Sequence, residues 1–307
     1  MFPAFLATLS FALSVVCAQR AARILGGMEA NFWRLVVALI LLGTWAHGFG
    51  SGLAGDAFGV FVLSGFIGIG VGDLALYEAL PRLGSRLTVL LLQCLTTGFA
   101  ISIEWVWLGT KLTLAEICCG AVILTGVAIA LRPHASVQTN RSLVPGVALT
   151  TIAAFGNAAG MVLSRKAYAI AAAAQQQIDG GTAAYQRVIG GLMLSGIFML
   201  LFKHRTVANH LRQPDFSTWP LKERFARSWA WVLANGALGM TLGVSCLQWA
   251  LKSTPAGIVQ SVVAITPLVV IPLARLTEGE RAGRNAWLGG LVAVAGTIAL
   301  TWVHTKQ

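Results

Sequence analysis

Ten apolar stretches, each close to the length needed to cross a bilayer, follow one another along the 307 residues. A helix needs about 20 predominantly apolar residues to span the hydrocarbon core, within a range of roughly 17 to 25. Such stretches lie near residues 2 to 18, 31 to 46, 57 to 78, 83 to 107, 113 to 131, 144 to 164, 183 to 202, 228 to 250, 255 to 275 and 286 to 303. Only 11% of the chain is charged and 56% is hydrophobic, against about one quarter charged in a soluble domain. The expectation is an all-α membrane protein with ten transmembrane helices. The longest connectors are residues 165 to 182 and 203 to 227, and no soluble domain remains outside the spans.

The opening "MFPAFLATLSFALSVVCAQRAAR" has no basic segment ahead of its apolar run, so it reads as a first spanning helix and not as a signal peptide. The formal charge of +11 would suit nucleic acid only if it were gathered on one soluble face. Here Lys and Arg sit in short connectors, which excludes nucleic acid as a partner and makes charge a marker of topology. Cys17, Cys94, Cys118, Cys119 and Cys246 all fall in apolar runs without ligand-like spacing to a histidine, so they read as small buried hydrophobes. No metal and no cofactor is expected.

The two halves of the chain match each other. At an offset of 171, Gly65, Gly68, Gly72, Leu76, Ala79 and Leu80 fall on Gly236, Gly239, Gly243, Leu247, Ala250 and Leu251. At an offset of 170, Gly120, Val122 and Gly126 fall on Gly290, Val292 and Gly296. At 153, Arg34 in "NFWRLVVALILLG" falls on Arg187 in "AYQRVIGGLMLSG". Order is kept while offsets change, as loop insertions would produce. Five spans per repeat is an odd number, so the second half enters the membrane with opposite orientation. The expected architecture is therefore two inverted five-helix repeats, residues 1–137 and 138–307. Such repeats place a shared cavity near mid-membrane, and access alternates as one bundle rocks against the other.

"GDLALYEALPRLGSRLTVLLLQ", "WLGTKLTLAEICCGAVILTGVAIAL" and "ALKSTPAGIVQSVVAITPLVVIPLARLTEGERAGRNAWLGGLVAVAGTIAL" resemble the two EamA-type repeats of the drug/metabolite transporter superfamily. The resemblance covers essentially the whole chain. It implies a ten-helix solute carrier, commonly an exporter of amino acids or other metabolites, in a bacterial inner membrane. The family pattern has proline in the fourth span and glutamate in the turn after it. The second half keeps both, as Pro267 and Glu280, whereas the first half has Thr97 and Thr110.

The polar residues inside the spans are the candidate site. Asp73, in "LSGFIGIGVGDLALYEAL", stands at the edge of the stripe Gly65, Gly68, Gly72 and faces the bundle. An intramembrane carboxylate is expensive and marks a cavity, a proton path or a partner. It reads either as a cavity or proton-coupling residue or as an interhelical hydrogen bond or ion pair, and its repeat mate is Val244. The glycine stripe and its mates Gly236, Gly239 and Gly243 provide close packing or a hinge. Arg34 and Arg187 either snorkel to the headgroups or bind an anionic group or Asp73. Glu104, just before Trp105 and Trp107, suits an aromatic belt better than a transport role. Gln93, Asn157, Asn235, Gln248, Gln260 and Thr266 either contact substrate or tie helices together. Pro267 and Pro272 each remove a backbone hydrogen bond and so expose carbonyls.

Catalysis has no support: His47, His134, His204, His210 and His304 lie in connectors or tails, with no nucleophile at motif spacing and no phosphate loop. The expected partners are a small-molecule substrate and the lipid bilayer. A lipid translocator of the same fold is the second reading, and the sequence leaves monomer and homodimer both open. Lys and Arg favour the odd-numbered connectors, which the positive-inside rule makes cytoplasmic, with both termini outside. The family resemblance implies the reverse.

Overall fold

The computed structural model describes residues 1–83, 85–130, 143–210, 221–270 and 284–305. Its regular elements are helices: α1 (Phe2–Leu25), α2 (Gly27–Gly48), α3 (Phe58–Gly65), a π-helical segment (Phe66–Val71), α4 (Gly72–Leu83), α5 (Ser85–Leu108), α6 (Leu114–Ala130), α7 (Leu143–Ala173), α8 (Gly180–His210), α9 (Leu221–Asn235), a second π-helical segment (Gly236–Gly243), α10 (Val244–Ser253), α11 (Ala256–Val263) and α12 (Arg284–Thr305). Among the described residues, eight helical stretches are long and apolar enough to cross a membrane; the apolar helices Leu114–Ile129 and Ala256–Val270 are shorter. Large apolar side chains face outward, among them Trp105, Val106, Leu200, Leu291 and Ile298, as lipid permits and water would not.

Helices overrun the apolar stretches. The connector expected at 165–182 is helical to Ala173, which leaves residues 174–179 between α7 and α8, and the one expected at 203–227 is helical at both ends. Hydropathy records where a helix leaves lipid, whereas "KAYAIAAAA" continues the helix because Ala and Lys favour that backbone. Two breaks have local causes. Gly26 adopts φ 92 between α1 and α2, a conformation glycine tolerates without a Cβ clash. Thr254, preceding Pro255, is extended at φ −114 and ψ 137, because the proline ring excludes the helical region for its predecessor.

Packing joins elements that are distant along the chain. The third span, from α3 through the π segment to α4, packs against α7 and α8. The stretch from α9 to α10 packs against α1 and α2, while α6 and α12 pair with each other. Glycines set the close approaches. A Cβ on Gly65 would stand 1.7 Å from the Arg187 carbonyl oxygen, and one on Gly236 would stand 3.0 Å from that of Arg34. Likewise Gly68 meets Gly160 of α7, and Gly239 meets Ser14 of α1. Ser64 reinforces the first contact by donating to the Gly160 carbonyl at 2.6 Å.

The connector between α7 and α8 is closed by Asp179. Its carboxylate accepts from the backbone N–H groups of Gly181 (2.9 Å) and Thr182 (3.0 Å), the Thr182 hydroxyl (2.5 Å) and the Trp45 indole N–H (2.9 Å). Burial by itself raises this carboxyl's pKa, but the four donors outweigh it and hold the group below its ordinary value. A depressed folded-state pKa contributes stability above the unfolded value of about 3.9, and that contribution fades as pH falls through the folded value. Asp179→Ala is expected to lose about 1 kcal/mol at pH 7. Thermal unfolding in detergent at stepped pH checks this, with the gap between variant and wild type closing below about pH 4.

Candidate functional site

Asp73 is the second residue of α4, just after the first π-helical segment, and Arg34 is one turn further along α2 than its apolar run suggested. Arg34 Nη2 donates to Asp73 Oδ2 at 2.6 Å, with the side chains only 13% and 15% exposed. Arg34 Nε donates to Asn31 Oδ1 at 2.8 Å, and its guanidinium lies 5.8 Å from the centre of the Tyr77 ring, within cation–π range. Asn157 of α7 stands beside the same turn, its Oδ1 3.0 Å from where a Gly72 Cβ would be.

Arg187 occupies the matching place in α8 and is 4% exposed. Its Nη2 lies 3.0 and 3.2 Å from the positions that Cβ atoms on Gly68 and Gly160 would take, so those glycines make room for the guanidinium. Its Nε has no hydrogen-bond partner among the described residues. Asp73 interacts electrostatically with both arginines, and Arg187 also with Tyr168. Arg34 turns to Asp73, and the Arg187 guanidinium lies in the space that Gly68 and Gly160 leave inside the bundle. The Asp73 carboxylate on α4 thus pairs with Arg34 of α2, and the Arg187 guanidinium of α8 lies within its electrostatic reach.

The remaining residues singled out from the sequence fall elsewhere. Gln260 Nε2 donates to Gln93 Oε1 at 2.7 Å, tying α11 to α5. Asn235 accepts from the Ser14 hydroxyl at 2.6 Å. Gln248 is fully buried, and neither amide atom has a partner among the described residues. Thr266 donates to the Val263 carbonyl at 2.6 Å, a local bond that helps carry the chain through the helix break ahead of Pro267. Pro272 and Glu280 lie outside the described residues.

Glu104 departs from the aromatic-belt expectation. Trp105 and Trp107 are 57% and 51% exposed, but Glu104 is 2% exposed because consecutive helix positions point about 100° apart. Its Oε2 accepts from the Ala256 N–H at 2.7 Å and its Oε1 lies 2.5 Å from Arg165 Nε. Arg165 in turn donates to the carbonyls of Leu251, at 3.4 Å, and Thr254. The pair thus closes both helix ends at the Thr254–Pro255 break. Arg165 was hidden by its assignment to a connector; the helix-forming run that follows it was the signal. Similarly, Cys118 is exposed, so membership of an apolar run did not imply burial in protein.

A sequence profile of the EamA-like transporter family matches residues 1–132 and again 144–302. The chain belongs to the EamA-like transporter family. Members of that family are transporters of the drug/metabolite type, and this EamA-like chain is a multi-pass integral membrane protein. A solved structure described as "Crystal structure of protein" is similar with a TM-score of 0.71, covering 99% of this chain and 96% of that one at 16% identity. At that identity the likeness speaks for the fold. No curated protein matches the chain.

Proposed function

We propose that this EamA-like protein is an alternating-access carrier of a small polar or amphipathic metabolite, working outward across a bacterial inner membrane. In this reading all ten apolar helices span, residues 1–137 and 138–307 are inverted repeats, and the solute passes between them at the level of Asp73, Arg34 and Arg187. The observation that carries the reading is the exchange of packing between halves: the third span of each half lies against the first two of the other. Gly65 meets the Arg187 backbone and Gly236 the Arg34 backbone, and π-helical turns stand at corresponding places, Phe66–Val71 and Gly236–Gly243. Irregular turns of this kind recur at functional sites and hinges. A rocking motion would slide these small-residue contacts while the helices stay intact.

Uptake of labelled metabolites into proteoliposomes, with and without a pH gradient, tests the proposal. Wild-type protein is expected to move at least one solute faster than protein-free liposomes do, and Asp73→Asn to slow it, because the amide leaves two buried guanidiniums without a counter-charge. Accumulation driven by the gradient only in wild type would assign proton coupling to Asp73. A panel on which nothing moves would overturn the carrier and favour movement of lipid by the same fold.

A further inference from the structure

We infer that Arg187 is the anchor for an anionic group, a carboxylate or a phosphate, on the transported solute. The inference rests on the carrier reading above and adds a substrate class to it. Repeat symmetry states the problem. Arg34 and Arg187 are mates, and so are Asp73 and Val244. Where the first half supplies a carboxylate for its arginine, the second half supplies an isopropyl group.

The geometry leaves that imbalance uncorrected. Asp73 bonds Arg34 at 2.6 Å, and its field is shared with Arg187. Among the described residues, the other groups acting on the arginines, Tyr77 and Tyr168, are phenols, which are neutral near pH 7. Two positive charges therefore face one negative charge in a largely solvent-free part of the bundle. Arg187 is 4% exposed and its Nε is unpartnered among the described residues. Buried cations are expensive unless paired, so a site that leaves one with only part of a carboxylate's field is completed when a second counter-charge arrives. A guanidinium presents a planar fork of donors that matches carboxylate and phosphate oxygens in pairs. Gly68 and Gly160 leave the room that the fork occupies: a Cβ at either position would stand 3.0 or 3.2 Å from Nη2. Asp73 then has a second role. It screens Arg187 while the site is empty and yields it to the solute's anion.

Purified full-length protein, thermally unfolded in detergent at constant ionic strength, tests this with matched probes. Acetate, succinate, L-alanine and inorganic phosphate are compared with acetamide, succinamide and alaninamide. At least one acid is expected to raise the unfolding temperature in a saturable manner while its amide does not. Arg187→Gln should weaken that acid by about 10- to 100-fold, the range for a lost charged hydrogen bond. Arg187→Lys should retain the preference for acid over amide, and Arg82→Gln, at a surface arginine, should change nothing. Equal shifts with acids and amides in wild type, no shift with any acid, or undiminished binding in Arg187→Gln would each overturn the inference. If Arg187→Gln does not fold, the wild-type comparison and Arg187→Lys still decide. Proteoliposomes then separate the sources of the anion. Entry of labelled succinate or alanine supports a soluble solute, whereas scrambling of fluorescent phosphatidylglycerol without their entry overturns it in favour of a lipid headgroup. A wild-type protein that moves only neutral solutes would end the anion inference and leave the carrier reading standing.

Discussion

Gly65→Ala is expected to leave little folded protein in the membrane. The new methyl carbon would lie 1.7 Å from the Arg187 carbonyl oxygen, 2.4 Å from its carbon and 2.6 Å from its Cα. All three are backbone atoms of α8, so no side chain can swing aside. The helices must separate, and the same movement opens the neighbouring contact, where a Cβ on Gly190 would stand 2.0 Å from the Val62 carbonyl oxygen. Overpacking costs about 1–3 kcal/mol where side chains can adjust, and occasionally more; backbone against backbone belongs at or beyond the upper end. Gly59→Ala, in the same helix with nothing within 4 Å, is the control and should gain up to about 1 kcal/mol of helix propensity. Yield of monodisperse protein and unfolding temperature read the difference. Equal behaviour of the two variants would mean that α3 and α8 do not pack through Gly65.

Glu104→Ala is expected to destabilise by about 3 kcal/mol, the lower part of the range for breaking a buried ion pair. It strands the Arg165 guanidinium and removes the acceptor of the Ala256 N–H at the start of α11. The lower part applies because the Arg165 side chain is 20% exposed and is partly screened. Glu104→Gln keeps an oxygen for that N–H and loses only the charge, so its effect should be smaller. Unfolding temperatures ordered wild type, Gln, Ala support the arrangement. An order with Gln equal to Ala would mean that the charge on Arg165 carries the whole effect and the helix-end bond none.

Much of the architecture could be read without coordinates, for reasons that are specific to lipid. A backbone in hydrocarbon satisfies its own hydrogen bonds, so each apolar run already implied helix, and each coincides with helix where described. The glycine spacing at 65, 68 and 72 implied a face that something approaches closely. Helix ends were less legible. Lys203 and the alanines after Arg165 are at home in helices on either side of a membrane surface, so composition alone placed boundaries too early. The π-helical turns left no signature that hydropathy could register, although each lies in a glycine-rich stretch.

The sequence by itself determined the membrane class and where the apolar helices run, because hydrophobicity and periodicity are properties of one helix at a time. Only the tertiary structure decided the pairings. Asp73 could have met either arginine, and it bonds Arg34 at 2.6 Å. Glu104 could have joined the tryptophans beside it and instead meets Arg165, 61 positions along the chain, at 2.5 Å. Helical period tells which way a side chain points; which helix stands opposite is set by glycines whose missing Cβ atoms let two backbones close, and those contacts exist only in the assembled bundle.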